Sequence, residues 1–117
     1  MRAFQWGNMS DEYLLRQLRR GQTDALEVLF DRHYRLVFSV AHRILQDSGE
    51  AEELMQEVFL EVYRDAGKFD PARGSVKNWI LQYAANLSAS HARRLERRPE
   101  PSGIRSERLH QPRPDAG

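Results

Sequence analysis

The sequence predicts an all-α fold, a compact bundle of about four helices followed by a disordered tail. Apolar residues recur at helical spacing in separate stretches, and no stretch alternates as a half-buried strand would. Capping residues, Pro or Gly bound each stretch. Ser10 is a good N-cap for a first helix, Asp11 to Arg20, which Gly21 ends. Thr23 or Asp24 starts a second, long helix reaching about Gln46, with Leu26, Leu29, Phe30, His33, Val37, Val40, Ala41 and Ile44 on its core face. Asp47 followed by Glu50 is a capping-box arrangement, with Asp in place of Ser or Thr, and it opens a third helix ending near Gly67. The stretch "FDPARGS" breaks the pattern: Pro71 biases Asp70 away from helix, and Ser75 caps the fourth helix, Val76 to Arg98.

Outside these helices the chain lacks periodicity. Residues 1–9 read as a flexible N-terminus, 10–98 as the helical domain and 99–117 as a disordered, Pro- and Arg-rich tail. Met9 stands just before the first clean cap and is a second candidate start of translation. A length of 117 residues with 40% apolar content allows one small core. There is no cysteine, so disulfides, thiolate nucleophiles and cysteine-based zinc sites are excluded. No apolar run is long enough to span a membrane and no signal-peptide pattern stands near Met1, so the expected location is the cytoplasm.

The net charge of +1 conceals a dipolar chain. Between Asp47 and Asp70 acids far outnumber bases, and between Pro71 and Arg98 the balance reverses. Such a chain suggests one basic and one acidic partner surface, although two solvated helix faces would give the same pattern. On the third helix Ala51, Leu54, Met55, Val58 and Val62 share the core side. Glu50, Glu53, Glu57 and Glu61 form a neighbouring stripe with Gln56 near its edge. Like charges three and four residues apart repel by a few tenths of a kcal/mol each. The stripe is therefore a candidate docking surface, with a solubilising face as the alternative. No histidine joins it at ligand spacing, so no metal or other cofactor is expected.

On the fourth helix Val76, Trp79, Ile80, Tyr83, Ala84 and Leu87 share one face, with Trp79 as a core anchor whose indole N–H finds a partner at the rim. The opposite face carries Asn78, Gln82, Ala85, Asn86, Ala89 and Arg93. Amides can hydrogen-bond base edges, alanines allow close approach and arginines hold phosphates. Arg93, Arg94, Arg97 and Arg98 also favour the helix dipole, which any helix would use. Lys68, Arg73 and Lys77 bracket a loop stiffened by Pro and Gly that leads into a helix N-terminus, a place to hold an extruded base or its backbone. No nucleophile–base set is visible, and His33, His42 and His91 have no evident partner, so the chain is not expected to be an enzyme.

The motifs "ALEVLFDRHY", "AEELMQEVFLEVY" and "KFDPARGSVKNWI", with the segment Asn86 to Arg94, occur in one order and spacing. From about Met9 to Arg98 the chain resembles region 2 of the extracytoplasmic-function (ECF) sigma factors of bacterial RNA polymerase. The resemblance implies a transcription initiation factor domain that binds the polymerase core and recognises and melts the promoter minus-ten element. It implies that Glu53, Gln56 and Glu57 dock on the clamp helices of the largest polymerase subunit. It implies that Lys68, Arg73, Ser75, Lys77, Asn78, Gln82 and Asn86 hold a flipped base of the non-template strand, while Arg93, Arg94 and Arg97 grip phosphate. An anti-sigma factor is a further partner it admits. The chain departs from the family at Ser90, where Asp is common, and at Leu87, where a basic or polar residue is common; both positions bear on promoter preference. No region 4 helix-turn-helix follows Arg98, which fits an excised domain, a truncated product or a natural single-domain regulator. The alternative function is a sigma-like interaction module that binds polymerase or an anti-sigma factor without productive promoter recognition.

Overall fold

The computed structural model describes residues 6–97, with Arg97 described by its backbone alone. The expected tail at 99–117 lies outside the described residues, as does most of the expected flexible N-terminus. Four α-helices appear in the expected order: α1 (Asp11–Arg19), α2 (Asp24–Leu45), α3 (Ser48–Arg64) and α4 (Val76–Arg97). Short 3₁₀ turns at Ala66–Lys68 and Pro71–Arg73 connect α3 to α4, so the third helix stops at Arg64, earlier than the periodicity suggested. Among the described residues there is no strand, and no helix is long and apolar enough to cross a membrane.

The boundaries follow from side-chain and glycine chemistry. Ser10 caps α1 by accepting from the Tyr13 N–H at 3.1 Å. At the other end Gln22 N–H donates to Gln17 C=O and Gly21 N–H to Leu18 C=O, the paired bonds of a Schellman close. That close needs a left-handed residue, and Gly21 supplies it with φ +89°. Gln46 takes the left-handed position after α2 at φ +57°, and its side-chain amide donates to Arg43 C=O. Asp47 caps α3 by accepting from Glu50 N–H at 2.9 Å.

α2 is the central element, packed against α1, α3 and α4. The main core gathers Leu14, Leu15 and Leu18 of α1, Leu29 and Val37 of α2, Val58 and Val62 of α3, and Val76 and Ile80 of α4. Every core residue expected on α3 is buried, and Phe59 joins them. On α2 the observed face is rotated slightly from the expected one. Ala25 and Val28 are buried, while Ile44 is 38% exposed and its neighbour Leu45 packs inward against Ala41, Ala51 and Leu54 in its place. On α4 the buried line is Val76, Ile80, Ala84 and Ser88, one residue every turn. Leu87 is only half-buried, and fully buried Ser88 takes the place expected for it.

Two histidines have partners that the sequence did not reveal. His33, buried on α2, bonds through Nε2 to Asp11 Oδ2 at 2.9 Å, and Arg32 donates to the other Asp11 oxygen at 2.9 Å. Arg32 also donates to Gly7 C=O, and Trp6 packs on the core, so ordered contacts begin before Ser10. The His33 hydrogen bond, opposed by partial burial and reinforced by Arg32, holds the Asp11 carboxyl below its usual value of 3.8. The fold therefore binds fewer protons at Asp11 than the unfolded chain does. Its contribution is complete above pH 3.8 and is lost as pH falls through the depressed folded value. Asp11→Asn should lower stability at neutral pH by about 1–3 kcal/mol. In urea unfolding at a series of pH values, the gap to the parent chain should close on the acid side. A gap that stays constant down to strong acid would refute this role for Asp11.

Candidate functional site

A cleft of about 840 Å³ lies where the 3₁₀ turns meet the start of α4. Local bonds set its shape. Asp70 accepts from Ala72 N–H at 3.0 Å, and Arg73 N–H donates to Asp70 C=O, which closes the Pro71 turn. Gly74 follows at φ +131°, a conformation that a side chain would strain. Ser75 then caps α4 by accepting from Asn78 N–H at 3.1 Å, which leaves its hydroxyl hydrogen available.

Each wall has its own chemistry. Asn78, Gln82 and Ala85 come from one face of α4; Phe69 and Trp79 supply aromatic rings, and Leu81 supplies an apolar flank. Lys68, Asp70, Arg73 and Ser75 add further polar lining, two cations and one carboxylate among them. Trp79 packs edge-on between Phe69, 5.5 Å away, and Tyr83, 5.1 Å away. It is half-buried, packed against the main core as expected of an anchor at the rim, while Ile80 is the fully buried residue beside it. No acceptor meets its indole N–H among the described residues.

A polar lock ties the turn to α4. Tyr83 donates its hydroxyl to Asp65 Oδ2 at 2.7 Å, and Lys68 Nζ lies 3.5 Å from Asp65 Oδ1. Burial, then the Asp65 carboxylate, pushes the Tyr83 hydroxyl well above its ordinary range. The Tyr83 hydrogen bond, with Lys68 and Arg64 adding to it, holds Asp65 below its own. The lock keeps its charge pattern across the physiological range. It fixes the segment that carries Lys68 and Phe69 against the helix that carries Trp79.

The structure thus brings together Lys68, Arg73, Ser75, Asn78 and Gln82 of the residues singled out in the sequence. Asn86 and Arg93 are exposed further along α4, and Lys77 is exposed one turn before Leu81. Arg94 lies elsewhere, lining a groove of about 380 Å³ with Glu50, Glu53, Gln56 and Glu57. There it donates to His91 Nδ1 at 3.2 Å, while His91 Nε2 meets Glu50 Oε1 at 2.7 Å. With Nδ1 accepting, the imidazole proton sits on Nε2 and is directed at Glu50. The Arg97 side chain lies outside the described residues. Sequence reasoning missed Phe69 and Leu81. An aromatic between Lys68 and Asp70 in a turn was a usable signal for Phe69; Leu81 had none, because it reads as an ordinary flank of the helix.

The acidic stripe of α3 is uneven. Glu50 is engaged by His91 and Glu61 by Arg64, while Glu53, Gln56 and Glu57 are exposed without an ion pair among the described residues. Leu60 lines the same groove and is 51% exposed, an apolar spot beside free carboxylates. No cluster of metal-ligating side chains occurs among the described residues.

The described residues thus form a helical domain with an acid-and-leucine face on α3 and a separate aromatic, amide-lined cleft at the start of α4. The chain is a member of the Sigma-70 region 2 family, whose profile matches residues 29–98. Sigma factors are not enzymes, in line with the expectation from sequence. An "ECF RNA polymerase sigma factor SigK" of Mycobacterium ulcerans (strain Agy99) is 38% identical over 95 residues, covering 80% of this chain and 48% of that protein. Proteins of the same description from Mycobacterium sp. (strain KMS) and Mycobacterium bovis (strain BCG / Pasteur 1173P2) are each 36% identical. They cover 73% and 68% of this chain, and 44% and 43% of their own lengths. The chain spans about half the length of the curated relatives it matches. No solved structure matches it.

Proposed function

We propose that this chain is the part of a transcription initiation factor that docks on the RNA polymerase core and holds the minus-ten element as a single strand. The observation that carries this reading is the Lys68–Ala85 cleft. It combines two aromatic rings, two amides and two cations around a capped helix start. Every base has a face that can stack, amides read base edges, and cations meet phosphate. A duplex offers none of its base faces, so the cleft suits a base that has left the stack. Lys77, Asn86 and Arg93 continue the path along exposed α4. The place of action is the cytoplasm, where polymerase and promoter meet.

The α3 face supports the docking half of the reading. Glu53, Gln56 and Glu57 offer free acceptors beside Leu60, a surface fit for a basic helical partner such as the polymerase clamp helices. Arg94, held at the edge of this groove, is reassigned from DNA to the docking side. Glu53→Lys and Glu57→Lys should each weaken capture of core polymerase at least about tenfold in a pull-down, since removing one partner of an interfacial charge pair costs about 2–5 kcal/mol. Because both residues are exposed, unfolding should shift by no more than about 0.5 kcal/mol. Parent-like capture by both folded variants would refute the docking assignment.

A further inference from the structure

Three arginines at the end of α1 have no role in the function proposed above. Arg16, Arg19 and Arg20 are exposed and together line a groove of about 300 Å³. None of them forms an ion pair among the described residues; Arg16 lies over the Tyr13 ring at 5.7 Å. Cations are favourable in the last turn of a helix, by roughly 0.3–1 kcal/mol. One would meet that need, whereas three gathered with only Glu12 nearby, and no ion pair to it, repel one another. Such a cluster is relieved by an external anion.

The geometry connects the cluster to the cleft. Arg16 and Arg19 also line an apolar hollow of about 210 Å³ with Glu12, Leu15, Phe69 and Pro71. Phe69 is shared between this hollow and the cleft, so the turn residues Phe69 to Pro71 form the ridge between the two. Arg19 also reaches the preceding Ala66–Lys68 turn, with its Nε 3.7 Å from where a Gly67 side chain would begin. Glu12 is the one acid of the hollow and makes no ion pair with either arginine. A strand whose base sits in the cleft and whose backbone crosses the ridge therefore meets three guanidinium groups.

We propose that Arg16, Arg19 and Arg20 form a second phosphate-binding surface that grips the backbone of the strand on the far side of the Phe69–Pro71 ridge. The proposal rests on the reading of the cleft as a single-strand site, and it names α1 as a nucleic-acid contact of that site. Guanidinium groups suit phosphate because their planar forks bond it bidentately. No base-reading group accompanies them, so the grip is indifferent to sequence.

The test uses the full chain and two fluorescein-labelled single-stranded DNAs, a short one that fills only the cleft and one extended in both directions. Anisotropy is read across a salt series. Combined Arg16→Gln, Arg19→Gln and Arg20→Gln should bind the short strand as the parent does. The extended strand should bind about tenfold more weakly at low salt, with a salt slope shallower by about 0.7 for each phosphate that is no longer neutralised. The matching lysine triple variant should keep the parent slope. If the parent binds both strands and the glutamine variant matches it on the extended one, this proposal falls while the cleft reading stands. If the parent binds neither strand, the cleft reading falls and takes this one with it. Loss of polymerase capture with unchanged strand binding would also overturn it, by assigning the arginines to a protein partner.

Discussion

Ile80→Ala should cost about 2–5 kcal/mol of stability, the largest effect expected of any single substitution discussed for this chain. Ile80 is fully buried in the core that joins α4 to the other helices. Truncation loses transfer energy and leaves a cavity that helices held by packing on three sides cannot easily collapse. A small domain has only about 5–15 kcal/mol to lose. Each kcal/mol corresponds to about 4–8 °C in a domain of this size. The melting midpoint should therefore fall by roughly 8–40 °C in thermal unfolding followed by circular dichroism. The change also reaches function, because Trp79 and Asn78 of the cleft lie on the same turn of α4 as Ile80. A midpoint within a few degrees of the parent would mean that α4 is not held by this core.

Trp79→Ala should weaken binding to single-stranded minus-ten DNA by about 1–3 kcal/mol, or roughly 5–150-fold, the range measured for stacked aromatic residues. Trp79 supplies one ring of the cleft, and Phe69 and Tyr83 hold it edge-on. The ring is half-buried, so part of the effect could come through folding. Trp79→Phe separates the two causes, since it keeps a stacking face and most of the packing while removing the indole. The phenylalanine variant should retain most of the affinity and the alanine variant should not. Parent-like binding by a folded Trp79→Ala chain would remove stacking from the account.

The helices were legible because their signals are local. Ser10, Asp47 and Ser75 cap where the sequence placed them, and Gly21 closes α1 through its left-handed backbone. The five expected core positions of α3 are all buried. What the sequence could not show depends on how helices meet. The bonds from His33 to Asp11 and from His91 to Glu50 join residues 22 and 41 positions apart, beyond the reach of any periodicity. The same limit explains Arg94: its place in the arginine run pointed to DNA, while helix packing turns it toward the acidic groove. The wheel placed Trp79 on the core face, where it packs, but could not show that the Phe69 ring of the turn meets it edge-on. The cleft was half legible. Its stiff loop and amides stand in the sequence, whereas Leu81 joins it only in three dimensions.

The central claim is that the Lys68–Ala85 cleft selects a base already out of the duplex. The most direct measurement is fluorescence anisotropy of the whole chain, in the presence of core polymerase, against three probes. These are a non-template minus-ten single strand, the matching duplex and a scrambled single strand, each across a salt series. Unstacking a base costs a few kcal/mol, which a domain with few phosphate contacts does not easily supply. The account predicts binding to the minus-ten single strand that weakens steeply with salt, a weaker grip on the scrambled strand and little binding to the duplex. Equal affinity for the minus-ten and scrambled strands, or a preference for the duplex, would contradict it. Either result would leave an interaction module in place of a promoter-reading domain.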